Sequence, residues 1–488
     1  MLLFILLFSI NPVFSENCIF NVHYVTQSSS FPSNCSQIIG RFRIDENSQM
    51  TNDQLNNLFK NIREIRGVLQ IWNTQMTTVT FTKSIQNITG DPLDRGLSIM
   101  NNTKLTSLNI SSLMNSNEKV EIQNNPNLNL QKMCSVIHDV FFNRRFISNN
   151  SFDCGCEING PFKWPKVKTF PENCVVLYGN LKIQGNAPPF EVLYRLLTVT
   201  KIYGSLEFES TNLETLGFLQ NLQDIESGED AETTFRLDSN WYLRRLDLIK
   251  LQSIKSRNPD SDARFFQNDE LCLDPAFVQL LARSSLRKIE SNSGMEYCGL
   301  DKINNPSTYC TGKLSSMNDR CIRYLGNIIY TNGVGDYSEN INATKIPQAD
   351  IKKMQQLEFV FGGIYIHGTA LTNFSLPNLE EIYQMAAVRT PTGDRFEPWY
   401  ALVLRKNDYL TEVSFPNLKM VFRDLLLVAN ANLTTDNDLC RKIANSVRVH
   451  GAIGMNSLYD CSLFFIEKKS IRVLFTGPSL PAVTTDGS

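Results

Sequence analysis

The sequence has no uninterrupted apolar run near the roughly 18 to 20 residues that a membrane-spanning helix needs, so no span is expected within it. Histidine is scarce. His23, His138, His367 and His450 are the only four, none at helical spacing from another and none in a His-Glu-x-x-His pattern. The Gly-x-Ser-x-Gly elbow of serine hydrolases and the Gly-x-x-x-x-Gly-Lys loop that cradles phosphate are also missing. Charge of one sign is not in excess: 47 Lys and Arg stand against 49 Asp and Glu, for a net charge of -2. Nucleic acid and anionic membrane surfaces are therefore not expected partners. Together these absences leave little room for catalysis, and no catalytic residue, metal ligand or cofactor site is expected.

Cysteine, in contrast, is plentiful and even in number, at twelve. Residues Met1 to Ile10 are almost wholly apolar, Asn11 and Pro12 end the run, and Ser15 offers a small residue for cleavage, so residues 1–15 read as a secretory signal peptide. Eight Asn-x-Ser/Thr acceptors occur. Asn34 adjoins Cys35 and is set aside; glycans are expected at Asn87, Asn101, Asn109, Asn149, Asn342, Asn373 and Asn432. The expected protein is extracellular and disulfide-bonded, since disulfides persist in oxidising compartments. In the closing segment 462–488 the apolar stretch Leu463 to Ile466 is stopped at once by Glu467-Lys-Lys469, and the end from Thr476 is polar and Pro-punctuated, unlike the tail of a lipid-anchor signal.

One order of elements recurs three times. A first glycine-led strand reads Ile-Ile-Gly-Arg-Phe-Arg-Ile from Ile38, Leu-Tyr-Gly-Asn-Leu-Lys-Ile from Leu177 and Tyr-Leu-Gly-Asn-Ile-Ile-Tyr from Tyr324. A second reads Arg-Gly-Val-Leu-Gln-Ile-Trp-Asn-Thr from Arg66, Tyr-Gly-Ser-Leu-Glu-Phe-Glu-Ser-Thr from Tyr203 and Phe-Gly-Gly-Ile-Tyr-Ile-His-Gly-Thr from Phe361. Between them lie polar segments with helical apolar spacing, as at 52–62 and 188–197. Further strands follow in each copy, separated by Asn-x-x-Leu turns such as those at Asn102, Asn240 and Asn407. Short strands with long returns cannot pair as hairpins but can stack in parallel as a β-rich solenoid with short helices.

The repeat also sorts the cysteines. Early pairs are Cys18 with Cys35, Cys156 with Cys174, and Cys310 with Cys321; late pairs are Cys134 with Cys154, Cys272 with Cys298, and Cys440 with Cys461. Each bond would close a short loop and stabilise by about 2 to 4 kcal/mol. Cys154-Gly-Cys156 then marks a boundary between copies, not a metal or redox dipeptide. The expected domains are 16–154, 155–298 (the more divergent) and 299–461.

These elements resemble the receptor L domain, the leucine-rich-repeat-like, right-handed β-helix of insulin- and EGF-receptor ectodomains. The likeness rests on the early Cys and glycine strand, the second strand ending at Thr74, Thr211 and Thr369, and the Asn-x-x-Leu turn before Cys134, Cys272 and Cys440. The chain departs from those receptors in having no dense cysteine-rich module and no kinase domain, and is more similar to nematode L-domain-only secreted or surface proteins. The resemblance implies a peptide hormone, a growth factor or a related receptor ectodomain as partner, with the chain acting as decoy or modulator. In the insulin-receptor type a flat sheet of the first L domain contacts ligand; Trp72 stands at the matching strand, where the other copies carry Glu209 and His367. The receptor's neighbouring apolar residues are not reproduced, because Asp45-Glu46-Asn47 follow Ile44. The alternatives are a structural matrix component and a carbohydrate-active enzyme on a β-helix. For the latter, Glu226 to Glu232 reads as a solvated loop and Asp436-Asn-Asp438 as turn chemistry.

Overall fold

The structure, a computed structural model, describes residues 16–433 except 21–23, 28, 91–94, 143, 159–171, 292–295, 302–305, 332–344 and 386–399, and beyond them 448–449 and 453–455. The chain divides into two compact units: residues 1–160 with 171–180 and 201–204, and the remainder. The strands of the described residues pair in parallel.

In the first unit, strands Cys35–Ile44, Glu64–Trp72, Arg95–Met100, Lys119–Gln123 and Arg145–Ser148 lie side by side in chain order, and Glu16–Ile19 adds an edge. Alternation along each strand turns every second residue inward. The stacking brings Ile44, Ile71, Ile99, Ile122 and Ile147 into one column, each at most 3% exposed. Burial of such a side chain contributes about 1.5–3 kcal/mol. The first two strands run ten and nine residues because each continues through a bend at Gly40 or Gly67 onto a second face. There the short strands Asn87–Thr89 and Asn115–Ser116 complete the layer.

The second unit repeats the scheme with the two faces as separate sheets. One five-stranded sheet runs Leu181–Gln184, Leu206–Glu209, Thr233–Asp238, Asp262–Phe266, Lys288–Ser291. The third repeat has two: Arg323–Leu325, Phe359–Phe361, Glu381–Tyr383, Met420–Phe422, Arg448–Val449, and Ile328–Thr331, Ile364–His367, Tyr400–Arg405, Asp424–Val428, Ile453–Met455.

Helices are short. The 52–62 segment forms α1 (Asn52–Phe59), whose N-terminus is closed by a Thr51–Gln54 capping box. The 188–197 segment breaks into α3 (Phe190–Leu193) and a 3-10 turn, Tyr194–Thr198. The third repeat places α5 (Gln348–Gln356) at the corresponding position. Two helices, α2 (Cys134–Phe141) and α4 (Pro275–Arg283), occupy the late part of the first and second repeats, where the sequence reading has only strands running into the cysteine pair.

Disulfides join Cys18 to Cys35, Cys134 to Cys154, Cys156 to Cys174, Cys272 to Cys298 and Cys310 to Cys321. Among the described residues no cysteine is free. Cys440 and Cys461 lie outside the described residues, as do the proposed signal segment, Asn342, His23, His450 and Asp436 to Asp438.

Candidate ligand-binding surface

The corners that hold the strands in register are built from asparagine. In the first copy Asn102 Oδ1 accepts from the Thr74 backbone N–H at 2.9 Å and from the Thr74 hydroxyl at 2.8 Å. Its Nδ2 donates to the Ile71 carbonyl and to Asn125 Oδ1, and Asn125 continues to Asn150. Asn240 with Asn268, and Asn407 with Asn430, repeat the pattern under Thr211 and Thr369. Each of these four asparagines is fully buried. The second strand's terminal threonine is therefore a corner post, and the strands between such posts present rigid outward faces.

The outward face of the first copy carries Trp72. Its indole N–H donates to Ser98 Oγ at 2.8 Å, and the Ser98 hydroxyl donates to Glu121 Oε2 at 3.2 Å. The Arg43 guanidinium lies over the Trp72 ring at 4.9 Å and over the exposed Tyr24 ring at 5.5 Å. Arg43 is in turn ion-paired with Asp45 at 3.0 Å. Trp72 is half-buried and faces Met100 across the strand pair. One edge of the ring is pinned by its neighbours while the ring stays on the outer face. A groove of about 360 Å³ opens at the corner beyond the strand ends, lined by Ile44, Asp45, Met50, Thr74 and Met76 among others but not by Trp72. Sequence reasoning missed Tyr24, Arg43, Ser98 and Glu121; period-two alternation puts them outward, but only the register puts Ser98 within reach of Trp72.

The equivalent faces differ in chemistry. In the second copy it is a charge lattice: Lys182 lies 3.2 Å from Glu207 and 3.3 Å from Glu209, Arg236 2.8 Å from Asp238, and Arg264 3.6 Å from Glu290. A hydrogen bond from Gln184 and the nearby Lys182 ammonium hold the Glu209 carboxyl below the usual carboxylate range. In the third copy Ile329, Tyr365, Val403 and Leu426 align as an apolar row, with half-buried His367 one register step beyond Tyr365.

The late helices reach residues of the following repeat. In the first unit the His138 ring centroid lies 3.5 Å from that of Tyr203, the rings tilted by 33°, and the Arg145 guanidinium sits 3.2 Å from the Tyr178 ring centroid and 3.2 Å from Glu157. In the second unit α4 reaches the third repeat: Arg283 makes two 2.9 Å hydrogen bonds to Glu381, Gln279 donates to the same carboxylate at 3.0 Å, and the Tyr297 hydroxyl donates to the Tyr383 carbonyl at 2.6 Å. Burial opposes ionisation of Glu381, but hydrogen bonds from Tyr383, Arg283 and Gln279 outweigh it and hold its carboxyl below the usual range.

No group of His, Cys, Asp or Glu placed to hold a metal ion occurs among the described residues. Glu226, in the acidic 226–232 segment, is ion-paired with Arg257 at 3.0 Å. No helix of the described residues is long and apolar enough to cross a membrane.

Comparison with known proteins agrees with this architecture. The family model described as Receptor L domain matches residues 34–139, 173–281 and 326–445. The chain is similar to Protein irld-34 of Caenorhabditis elegans, with 22% identity over 286 residues, which is 55% of this chain and 64% of that protein. It thus spans less than two thirds of that relative's length. With three matches that together cover more than half of its residues, the chain belongs to the receptor L domain family.

Proposed function

We propose that this protein is an extracellular binding protein whose first L domain presents its outer sheet, centred on Trp72, to a peptide or protein ligand. The observation that carries the reading is the pinning of Trp72 by Ser98 and Arg43 on an outward face. A tryptophan whose rotamer is already held loses little entropy on binding, and such anchors dominate interface energetics. The disulfides support an oxidising compartment, with residues 1–15 as signal peptide and glycans on the seven acceptors named above. Parallel strands alternating between two faces support a right-handed β-helix in each domain, with boundaries at 16–154, 155–298 and 299–461 and a tail at 462–488.

The partner class is an insulin-like or EGF-like peptide, or a receptor ectodomain built of similar domains, and the chain acts as a decoy or modulator without catalysis or cofactor. Label-free binding of the purified chain to such peptides and ectodomains tests this. Saturable binding that weakens about 30-fold in Trp72→Ala is expected, the loss of one interface hot spot. Saturable binding indifferent to Trp72 moves the site to another face. No binding by a folded, oxidised chain removes the reading.

A further inference from the structure

One glycan acceptor set aside on sequence grounds regains a role from the fold. Asn34-Cys35-Ser36 satisfies the Asn-x-Ser pattern, and Asn34 is exposed in the turn that enters strand Cys35–Ile44. The folded surface therefore has room for a sugar there. The two residues that follow have no such freedom. Cys35 is fully buried and bonded to Cys18, and its N–H donates to the Pro32 carbonyl at 3.0 Å. The Ser36 carbonyl accepts from the Arg63 N–H at 2.7 Å, and from Gln37 onward the strand is paired with Glu64–Trp72.

Asn109-Ile110-Ser111 shows the contrasting state. Asn109 Oδ1 accepts from the Ser111 N–H at 3.1 Å and from the Ser111 hydroxyl at 2.8 Å, so the tripeptide folds back and brings its hydroxyl onto the acceptor amide. For Ser36 to reach the Asn34 amide in this way, the chain must turn at Cys35. That turn is available while Cys35 is a free thiol, and it is lost once the bond to Cys18 holds Cys35 in its strand. Chain order makes the two reactions compete. Cys18 enters the oxidising compartment before Asn34, so its thiol is waiting when Cys35 arrives. At about 5–20 residues per second, the separation of 17 residues between the two cysteines takes about 1–3 s to synthesise. Disulfides form in seconds to hours, depending on the oxidant, so the bond is still open in some chains when the acceptor is presented.

We infer that Asn34 is a redox-gated glycosylation site, which receives its sugar only in chains whose Cys18–Cys35 bond has not yet closed. In the transfer, Asn34 Nδ2 bonds to the anomeric carbon of a lipid-linked oligosaccharide diphosphate. The bond from that carbon to the diphosphate oxygen breaks, the lipid diphosphate leaves, and the amide gives up one proton. In the competing reaction the two thiols pass two electrons and two protons to the disulfide of an oxidoreductase, which becomes a dithiol. Because Asn34 is exposed, a glycosylated chain still closes the bond afterwards, and both glycoforms fold. The inference rests on the secretory reading under Proposed function and is independent of Trp72.

The test is expression of the full chain in secreting cells, with occupancy of each acceptor read by mass mapping of total cellular and secreted protein. Attachment precedes folding, so the reading survives a variant that fails to fold. Expected is partial occupancy of Asn34 in wild type. It should rise at least about twofold when a membrane-permeant dithiol is present during synthesis, and fall with a thiol oxidant. Occupancy of Asn101 and Asn373, whose tripeptides contain no cysteine, should stay unchanged. Cys18→Ser should raise Asn34 occupancy without any reagent. The proposal is overturned if Asn34 is occupied in every wild-type chain, if it is bare in Cys18→Ser, or if its occupancy ignores both reagents. Absence of sugar from all acceptors would remove the secretory reading and this inference with it, so the two failures are told apart by Asn101 and Asn373.

Discussion

A buried asparagine that satisfies two chain segments at once is worth more than its hydrogen bonds counted singly. Asn240 accepts from the Thr211 N–H and hydroxyl and donates to the Phe208 carbonyl and Asn268. Alanine there strands several buried polar groups, each costing about 1–3 kcal/mol. Asn240→Ala should lower the melting midpoint of its cooperative unit by roughly 5–10 °C, whereas Asn432→Gln, at an exposed corner position, should leave it within about 1 °C. Scanning calorimetry of both variants checks this; equal midpoints for Asn240→Ala and wild type would remove the corner-post role. The Asn-x-x-Leu turns were legible in the sequence because they recur in every copy and Asn tolerates left-handed backbone. The pairing with Thr74, Thr211 and Thr369 was not, since it joins residues 28, 29 and 38 positions apart whose contact depends on register. Trp72 was ambiguous for the same reason: its partners Arg43 and Ser98 come from neighbouring strands.

Among the elements, the bend between the two faces depends on stacked glycines. Gly67 lies directly over Gly40 with φ at 135°, and a Cβ built on it would sit 2.0 Å from the Gly40 carbonyl oxygen. Gly362 repeats this over Gly326 at 2.1 Å. Gly67→Ala should therefore abolish secretion of folded protein, since neither backbone can yield without breaking the ladder; recovery of a wild-type melting curve would contradict this. The glycine-led strands were visible from repetition alone, while their cause is this close approach. Helices α2 and α4 were overlooked. Asp274-Pro275 is an N-cap followed by proline at the first turn, a start signal lying where only strands and Asn-x-x-Leu turns were expected. The contacts of α4 carry a pH signature. Glu381 has its folded-state pKa depressed, so its contribution is present above the unfolded carboxylate value near 4.5 and is lost as pH falls through the folded value. Melting midpoints of wild type should drop on acidification below about pH 4.5 more steeply than those of Glu381→Gln. Parallel curves would show that the Arg283–Glu381 contact adds nothing.

At the scale of the whole molecule, one scaffold bears three different outward chemistries: an aromatic cluster at Trp72, an ion-paired lattice at Lys182 to Glu290, and an apolar row at Ile329 to Leu426. A scaffold held by buried isoleucine columns and asparagine corners leaves the residues between them free to differ from copy to copy. The proposed glycans divide the molecule further. Asn101 directly follows Met100, the cross-strand neighbour of Trp72, and is exposed with left-handed backbone at the sheet's corner. A glycan there crowds the approach to Trp72, whereas the second domain has no acceptor. Mass mapping after enzymatic deglycosylation in heavy-oxygen water should mark Asn101 and exposed Asn373 and nothing between residues 155 and 298. The same deglycosylated chain, and Asn101→Gln, should bind the Trp72 ligand more tightly, whereas Asn373→Gln should leave that binding unchanged. Equal gains in Asn101→Gln and Asn373→Gln would mean that sugar affects the chain globally, and the shielding of the Trp72 sheet by Asn101 would then fail.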